Sequence, residues 1–541
     1  MARHYVAFVL LGLMALPLGA QQKATPKPKG PKAGPVPDPI AVLYDQAKAA
    51  LADVPAEAQP YDLLQIAMDE DIRHRSAAIA DSQRAFRLAL ALAPPQDSSD
   101  AVGNWHKSIK TYVELEAVVM LTRDGEAGFE AAHQLARQAD VPRDRLYTEL
   151  IGAAEDTAMQ NAGRVFPQDQ GLLARTYGGI GYKPTRLKTP PTATPNYSVL
   201  ELAHECQQGD GTFPFLGVGI ALGSYRGSGQ DMRPLVQLAY QAASGATTPL
   251  ALHSAVFIFS AGHKFYPALD QQMESAAAEW LRHAQDAIQN APATPSSPSA
   301  ARQQYDAEVA RETKADGNHV LELVKQIDAD RGAALASQFS IFSTPARALM
   351  GPGIPIRSLT AGQRQQNADP QAALDHINQQ PGSGDQNQAA KFKALVNLAI
   401  ALAEKNPAPA AKAASEALDM MTDTMLADNM DRVALLALRM SQDMQQQAQA
   451  EALIQRCLDA AEKKAMDVEQ TFDNASPTDQ QNDAGDFEGP GAPEIRVFAY
   501  ASQVDFDLAV QRASATSATD FKPMFLLRTA VGQEMLHPWW N

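Results

Sequence analysis

Residues 388–421 read QAAKFKALVNLAIALAEKNPAPAAKAASEALDMM. Apolar and small residues recur there at three- and four-residue spacing, the period of a helix with one buried stripe. Gln388 to Glu404 is one helix, stopped at Asn406-Pro407, and Pro409 to Met421 is a second. Proline cannot continue a helical ladder but opens a new one readily. A connection this short folds the two helices back antiparallel. Further helices are expected over Pro370 to Gln379, Asp428 to Met444 and Ala448 to Gln470. The pattern recurs: Leu398-Ala399 matches Leu436-Ala437 at an offset of 38, and Ala417-Leu418 matches Cys457-Leu458 at an offset of 40. Such periods belong to helix-pair repeats, in which no pair buries its own face and each stacks on the next.

Small residues mark the close helix contacts: Ala394, Ala399, Ala403, Ala410, Ala414, Ala417, then Ala434, Ala437, Ala452 and Ala460. With Asn406-Pro407 between helices, residues 370–470 resemble the tetratricopeptide-like superfamily. That family's period is about 34 residues, and its Trp-Leu-Gly and Tyr positions have no counterpart in this chain. The resemblance implies a concave surface that binds peptides or proteins, and no chemistry.

Outward from this block the helical period persists. Asp38-Pro39 opens a helix reaching about Asp53, and Pro60 opens another. Longer ones are expected from Ile72 to Pro94, from Asp100 to Asp124, from Glu126 to Ala139 and from Pro142 to Val165. Residues 177–195 break the pattern with Gly and Pro, separating an N-terminal helical region (40–176) from a central one (196–366). The central region holds Phe213 to Tyr225, apolar nearly all round and so expected to be fully buried. Asp231 to Ala243, Pro249 to Ser260 and Pro267 to Asn290 follow, then a long helical stretch from Ser299 interrupted near Asp316-Gly317. A C-terminal region (367–541) ends in Glu494 to Arg512 and Asp520 to Leu536, expected to close the stack. Scarce β-branched runs argue against a large sheet. The expected fold is all-α, with antiparallel helix pairs stacked as an α-solenoid.

The first twenty residues have the order of a secretory signal: Arg3 and His4, the apolar run Tyr5 to Leu16, then Pro17-Leu18-Gly19-Ala20. Cleavage after Ala20 is expected, since the run is shorter than the roughly 20 residues that span a bilayer. No other segment qualifies as a transmembrane helix. Residues 21–39 set four lysines among Pro and Gly, a composition for an extended spacer or a tether to an anionic envelope surface. Net charge over the chain is −16. An acidic body repels phosphate backbones, so nucleic acid is excluded as partner. The expected setting is the periplasm or the extracellular space. Cys206 and Cys457 each fall on the apolar stripe of a helix, which favours two separate buried thiols over one disulfide.

Glu201, His204 and Glu205 share a helix that Ser198 and Glu201 open as a capping box. Glu201 and His204 have the i, i+3 spacing of carboxylate-bridged di-iron bundles. Glu70 with His74 and Glu279 with His283 are spaced i, i+4. A di-iron site needs a second such motif plus two further Glu, and neither a metal nor a cofactor is expected. Gly217, Gly219 and Gly223 lack the βαβ frame of a dinucleotide fingerprint and read as close helix packing. The acidic stretch Asn474 to Pro493 lacks the register of a calcium loop. Tyr177, Tyr182, Lys183, Arg186 and Lys188 bring cations and aromatics together in the 177–195 break, either as a linker or as a site for an acidic group or polysaccharide. Trp539 and Trp540 either dock on the last helices or anchor a partner. Two functions remain: an exported scaffold binding a protein or an envelope polymer, or a helical hydrolase or lyase acting on such polymers from a site near Glu201 and His204.

Overall fold

Pro39 occupies the first position of the first helix, where its missing N–H costs nothing. The computed structural model describes residues 38–71, 74–92, 109–122, 125–139, 143–161, 198–224, 231–289, 300–342, 370–379, 385–474 and 492–535. Every regular element among them is helical.

The N-terminal region comprises α1 (Pro39–Ala50), α2 (Gln59–Glu70), α3 (Arg75–Ala91), α4 (Ile109–Leu121), α5 (Gly125–Ala136) and α6 (Arg143–Asn161). From α2 on, each helix packs on the next in sequence, and α4 also touches α2 and α6. The one-sided stripe expected for α4 is not what forms. Lys110 through Leu121 are all buried, Glu114 and Glu116 included. Lys110 Nζ donates to the Leu90 and Leu92 carbonyls at 3.0 and 2.9 Å, satisfying the end of α3, and lies 3.8 Å from Glu114 Oε1. Ends of helices leave carbonyls unpaired, and a buried cation with two such acceptors and a carboxylate offsets its desolvation.

The central region comprises α7 (Val199–Asp210), α8 (Phe215–Ser224), α9 (Arg233–Ser244), α10 (Pro249–Phe265), α11 (Asp270–Gln289), α12 (Ala300–Ile327) and α13 (Ala329–Gln338). α10 is its axis, packed on α8, α9, α11 and α12. Thr248 caps it by accepting from the Ala251 N–H. Trp280 on α11 is fully buried, meets Phe259 of α10 edge-on and donates Nε1–H to the Leu252 carbonyl at 3.0 Å. α8 is wedged between α6 and α10. A Cβ at Gly217 would stand 3.0 Å from Thr148 Cα, and one at Gly219 would stand 3.2 Å from Phe257 Cβ. Its outer edge is left partly open at Gly219 and Ile220, so the all-round burial expected there is incomplete. The interruption expected near Asp316-Gly317 does not occur, and α12 runs through it. Gly317 serves packing instead: the Phe342 ring fills the space a side chain would take, and Asn318 Nδ2 donates to the Phe342 carbonyl at 2.9 Å.

The C-terminal region comprises α14 (Pro370–Gln379), α15 (Asp385–Leu402), α16 (Pro407–Met420), α17 (Asp423–Asp428), α18 (Met430–Gln442), α19 (Gln447–Asn474), α20 (Pro493–Val504), α21 (Phe506–Ala515) and α22 (Lys522–Glu534). α15 pairs with α16 and α18 with α19, the two pairs touching through α15 and α18. Ala399, Ala403, Ala410, Ala414, Ala417, Ala434 and Ala437 are buried at these contacts, Ala394 and Ala460 are half-buried, and Ala452 is exposed. Ala450 takes the inward place instead. The single helix expected over Glu494 to Arg512 is divided at Asp505, whose carboxylate accepts the Leu508 N–H and starts α21 afresh. An aspartate capping a helix satisfies an otherwise unpaired donor.

The last helix joins the two ends of the sequence. α22 packs on α20 and α21 and also on α2, at the opposite end of the sequence. It is buried from Pro523 to Leu527 and from Thr529 to Gly532. Phe525 stacks on Phe498 at 4.0 Å between ring centres. Gly532 lets α22 lie directly on the Ala499 carbonyl and Ser502 of α20, where any side chain would collide. One continuous apolar core runs from Ile40 to Val531.

Candidate functional site

Ser198 and Glu201 form the expected capping box at the start of α7. Ser198 Oγ accepts the Glu201 N–H at 3.1 Å, and Glu201 Oε2 accepts the Ser198 N–H at 3.0 Å. The backbone donor and side chain of Ser198 hold the Glu201 carboxyl below its ordinary range. His204 is exposed, with Nε2 2.7 Å from Gln208 Nε2 one turn on. Thus Glu201 and His204 share the outer face of α7, and among the described residues they do not converge on a further acid. Glu70 is paired with Lys48 at 2.5 Å and lies 3.6 Å from His74, while Glu279 pairs with Arg282 at 2.7 Å. Among the described residues no three His, Cys, Asp or Glu side chains are placed to share a metal ion.

Glu205 alone of the three turns inward. Its Oε2 lies 2.8 Å from His133 Nε2 on α5, and its Oε1 accepts from Tyr147 OH on α6 at 3.0 Å and from Arg137 Nε. His133 is completely buried and Glu205 is 29% exposed. Burial raises the Glu205 pKa, but the bonds from Arg137, His133 and Tyr147 outweigh it and hold the carboxyl at about 2. Burial, then the adjacent carboxylate, pushes the Tyr147 phenol up. A carboxylate held this low is ionised throughout the neutral range and neither gives nor takes a proton there. Its chemistry is that of a clasp joining α5, α6 and α7.

A second tie sits beside it. Asp210 Oδ2 accepts the Arg143 N–H at 2.9 Å, Asp210 Oδ1 accepts from Thr212 Oγ1 at 2.6 Å, and Thr212 Oγ1 accepts the Asp144 N–H at 3.1 Å. Gly209 leaves room for the Arg143 guanidinium. Burial pushes the Asp144 carboxyl up to about 7, with Arg145 opposing and Asp210 adding. Cys206 and Cys457 are both buried free thiols, each raised by desolvation.

A chemically varied surface lies elsewhere on the central region, on residues that the sequence reading does not pick out. α10 presents His253, Phe257 and Ser260 along one stripe. His253 Nδ1 lies 2.8 Å from Asp316 Oδ2, and Ser260 Oγ lies 3.1 Å from His319 Nε2, both partners on α12. Phe257 stands between them, 44% exposed and edge-on to His253 at 6.2 Å, with Gly219 of α8 against its Cβ. The Asp316 hydrogen bond raises the His253 pKa, burial opposes, and the charges of Asp316 and Glu312 add to the rise. Among the described residues no carboxylate is hydrogen-bonded to His319, so Ser260 and His319 make a hydroxyl–imidazole couple without the orienting acid of a hydrolytic triad. An aromatic face between two imidazole couples suits recognition of a partly apolar, hydrogen-bonding ligand. A faint signal existed in the sequence: His253, Phe257 and Ser260 are spaced i, i+4 and i+7.

Tyr177, Tyr182, Lys183, Arg186, Lys188, Trp539 and Trp540 lie outside the described residues, as do the segment read as a signal peptide, nearly all of the 21–39 linker and nearly all of the acidic stretch Asn474 to Pro493. Among the described residues no helix is long and apolar enough to cross a membrane. Comparison with family models, with curated proteins and with solved structures finds no match.

Proposed function

We propose that this chain is an exported scaffold whose helix pairs stack in a tetratricopeptide-like array and bind a protein or an envelope polymer. Helix after helix packs on its sequence neighbour, and small residues repeat at the α15–α16 and α18–α19 contacts. The observation that carries the reading is Phe257. It is a large aromatic left open to solvent on a face that α8 and α12 flank, with polar couples on both sides. An exposed aromatic set in a polar frame has the composition of a recognition surface. The hydrolase or lyase reading needs Glu201 and His204 to act together, and Ser198 and Gln208 occupy them instead.

The test is a photo-crosslinker in place of Phe257, with the mature chain incubated with an envelope fraction. A discrete adduct is expected, lost in the presence of excess unlabelled protein and absent when the crosslinker replaces Gln289. An adduct profile that does not differ between the two positions would remove the assignment. Export is tested by sequencing the mature amino terminus, expected at Gln21.

A further inference from the structure

The junction between the first helices and the last is lined by acids. On α2, Asp62 and Asp69 stand seven residues apart and therefore share a face. Asp69 Oδ2 lies 3.3 Å from Arg528 Nη1 of α22. Asp62 is 1% exposed, and its Oδ1 has no hydrogen-bond partner. The charge of Asp520, in the turn leading into α22, bears on it. On α1, Tyr44 OH donates to Glu534 Oε2 of α22 at 3.2 Å. Behind α2, Lys48 is occupied by Glu70 at 2.5 Å and by Asp81 of α3 at 2.7 Å. Glu469 of α19 accepts the Asp520 N–H at 2.6 Å. Of the described residues, Arg528 sets a cation against the α2 face, and Asp69 holds it.

We propose that the α2–α22 junction is a pH-sensitive seam, closed while Asp62 is protonated and loosened when Asp62 ionises. A buried carboxyl without a donor is tolerated as the neutral acid, and its charged form is strongly disfavoured. Burial and then Asp520 push the Asp62 carboxyl well above its ordinary value, and burial pushes Asp69 up against the pull of Arg528. Because the seated value is raised, the stabilisation is complete below the ordinary carboxyl range near 3.8 and is lost as pH rises through the seated value. Asp69 acts in the same direction, and Tyr61, also raised by burial, stays neutral beside Asp62.

The experiment uses the full mature chain carrying spin labels at E57C and T519C, both exposed positions near the start of α2 and of α22. The native thiols are buried and stay unlabelled. Distances are measured by pulsed electron resonance from pH 5 to pH 9, with helical content followed by circular dichroism. One short distance at pH 5 and a several-fold larger long-distance population at pH 9, at constant helical signal, are expected. D62N is expected to keep the short distance throughout, and D520N, which removes the neighbouring charge that raises Asp62, to move the change to lower pH. If D62N does not fold, D520N alone decides. A wild-type distance that ignores pH, a D62N or D520N profile identical to wild type, or lengthening only together with loss of helix would each overturn the proposal.

Discussion

Replacing Glu205 with Gln removes a negative charge from beneath three donors while keeping the side chain's size. The loss is bounded from the structure in two ways. Hydrogen bonds to a charged group are worth about 1.5–3 kcal/mol each, though the three share one carboxylate and do not add. The carboxyl is held at about 2 against an ordinary value of 4.5, and each pKa unit corresponds to about 1.4 kcal/mol. At 29% exposure solvent screens part of this, which leaves about 2 kcal/mol. The sign is fixed: a lowered carboxyl stabilises above its unfolded pKa and loses that contribution as pH falls through the folded one. Urea denaturation of wild type and E205Q should therefore differ by about 2 kcal/mol at pH 7, with more than half of the gap gone by about pH 3. A gap independent of pH, or none at pH 7, would refute the assignment of Glu205 as an ionised clasp.

Gly532→Ala should cost about 1–3 kcal/mol in the same assay, because the new methyl meets the backbone of α20, which cannot rotate away. Asp144 is raised to about 7, so its stabilisation is present in acid and lost as pH rises through neutrality. D144N should be more stable than wild type at pH 8, by roughly 1–2 kcal/mol, and should match it only near pH 3, below the ordinary carboxyl value of 3.8. Cys206 and Cys457 should resist a thiol reagent in the native state and give two equivalents once unfolded, and non-reducing electrophoresis should show no mobility change on reduction. F257A should weaken binding at the central face while shifting the thermal midpoint by less than about 2 °C, since the ring lies largely outside the core.

Helices were legible wherever a stripe of apolar residues met a proline or a capping residue, as at Pro370, Ser198 and Asn406-Pro407. Their neighbours were not. α4 carries Lys110, Glu114 and Glu116 and so reads as half-exposed. It is buried because the carbonyls ending α3 receive the lysine, a partner 18–20 residues away. Gly317 reads as a break because local propensity penalises glycine in a helix, but the Phe342 ring requires the gap. Asp505 reads as an ordinary polar position, and only its bond to the Leu508 N–H reveals a new start. At the candidate sites the limit was distance along the chain. Glu205 sits one residue from the inward-facing Cys206, a hint of burial. Its partners His133, Arg137 and Tyr147 lie 58 to 72 residues earlier. The α10 stripe is not legible because His253 and Ser260 find their partners, Asp316 and His319, on α12, some 60 residues on.

The seat of α22 on α2 bears on how the chain comes into being. While the ribosome is still making the middle of the protein, α1 and α2 are already complete, yet part of their apolar face has no cover until some 460 further residues have followed. Contacts of such long range form late, and until then the leading segment stays exposed to chaperones or to its own misassembly. A chain cut short before Lys522 would leave that wait unresolved, and its instability should be felt first at the opposite terminus.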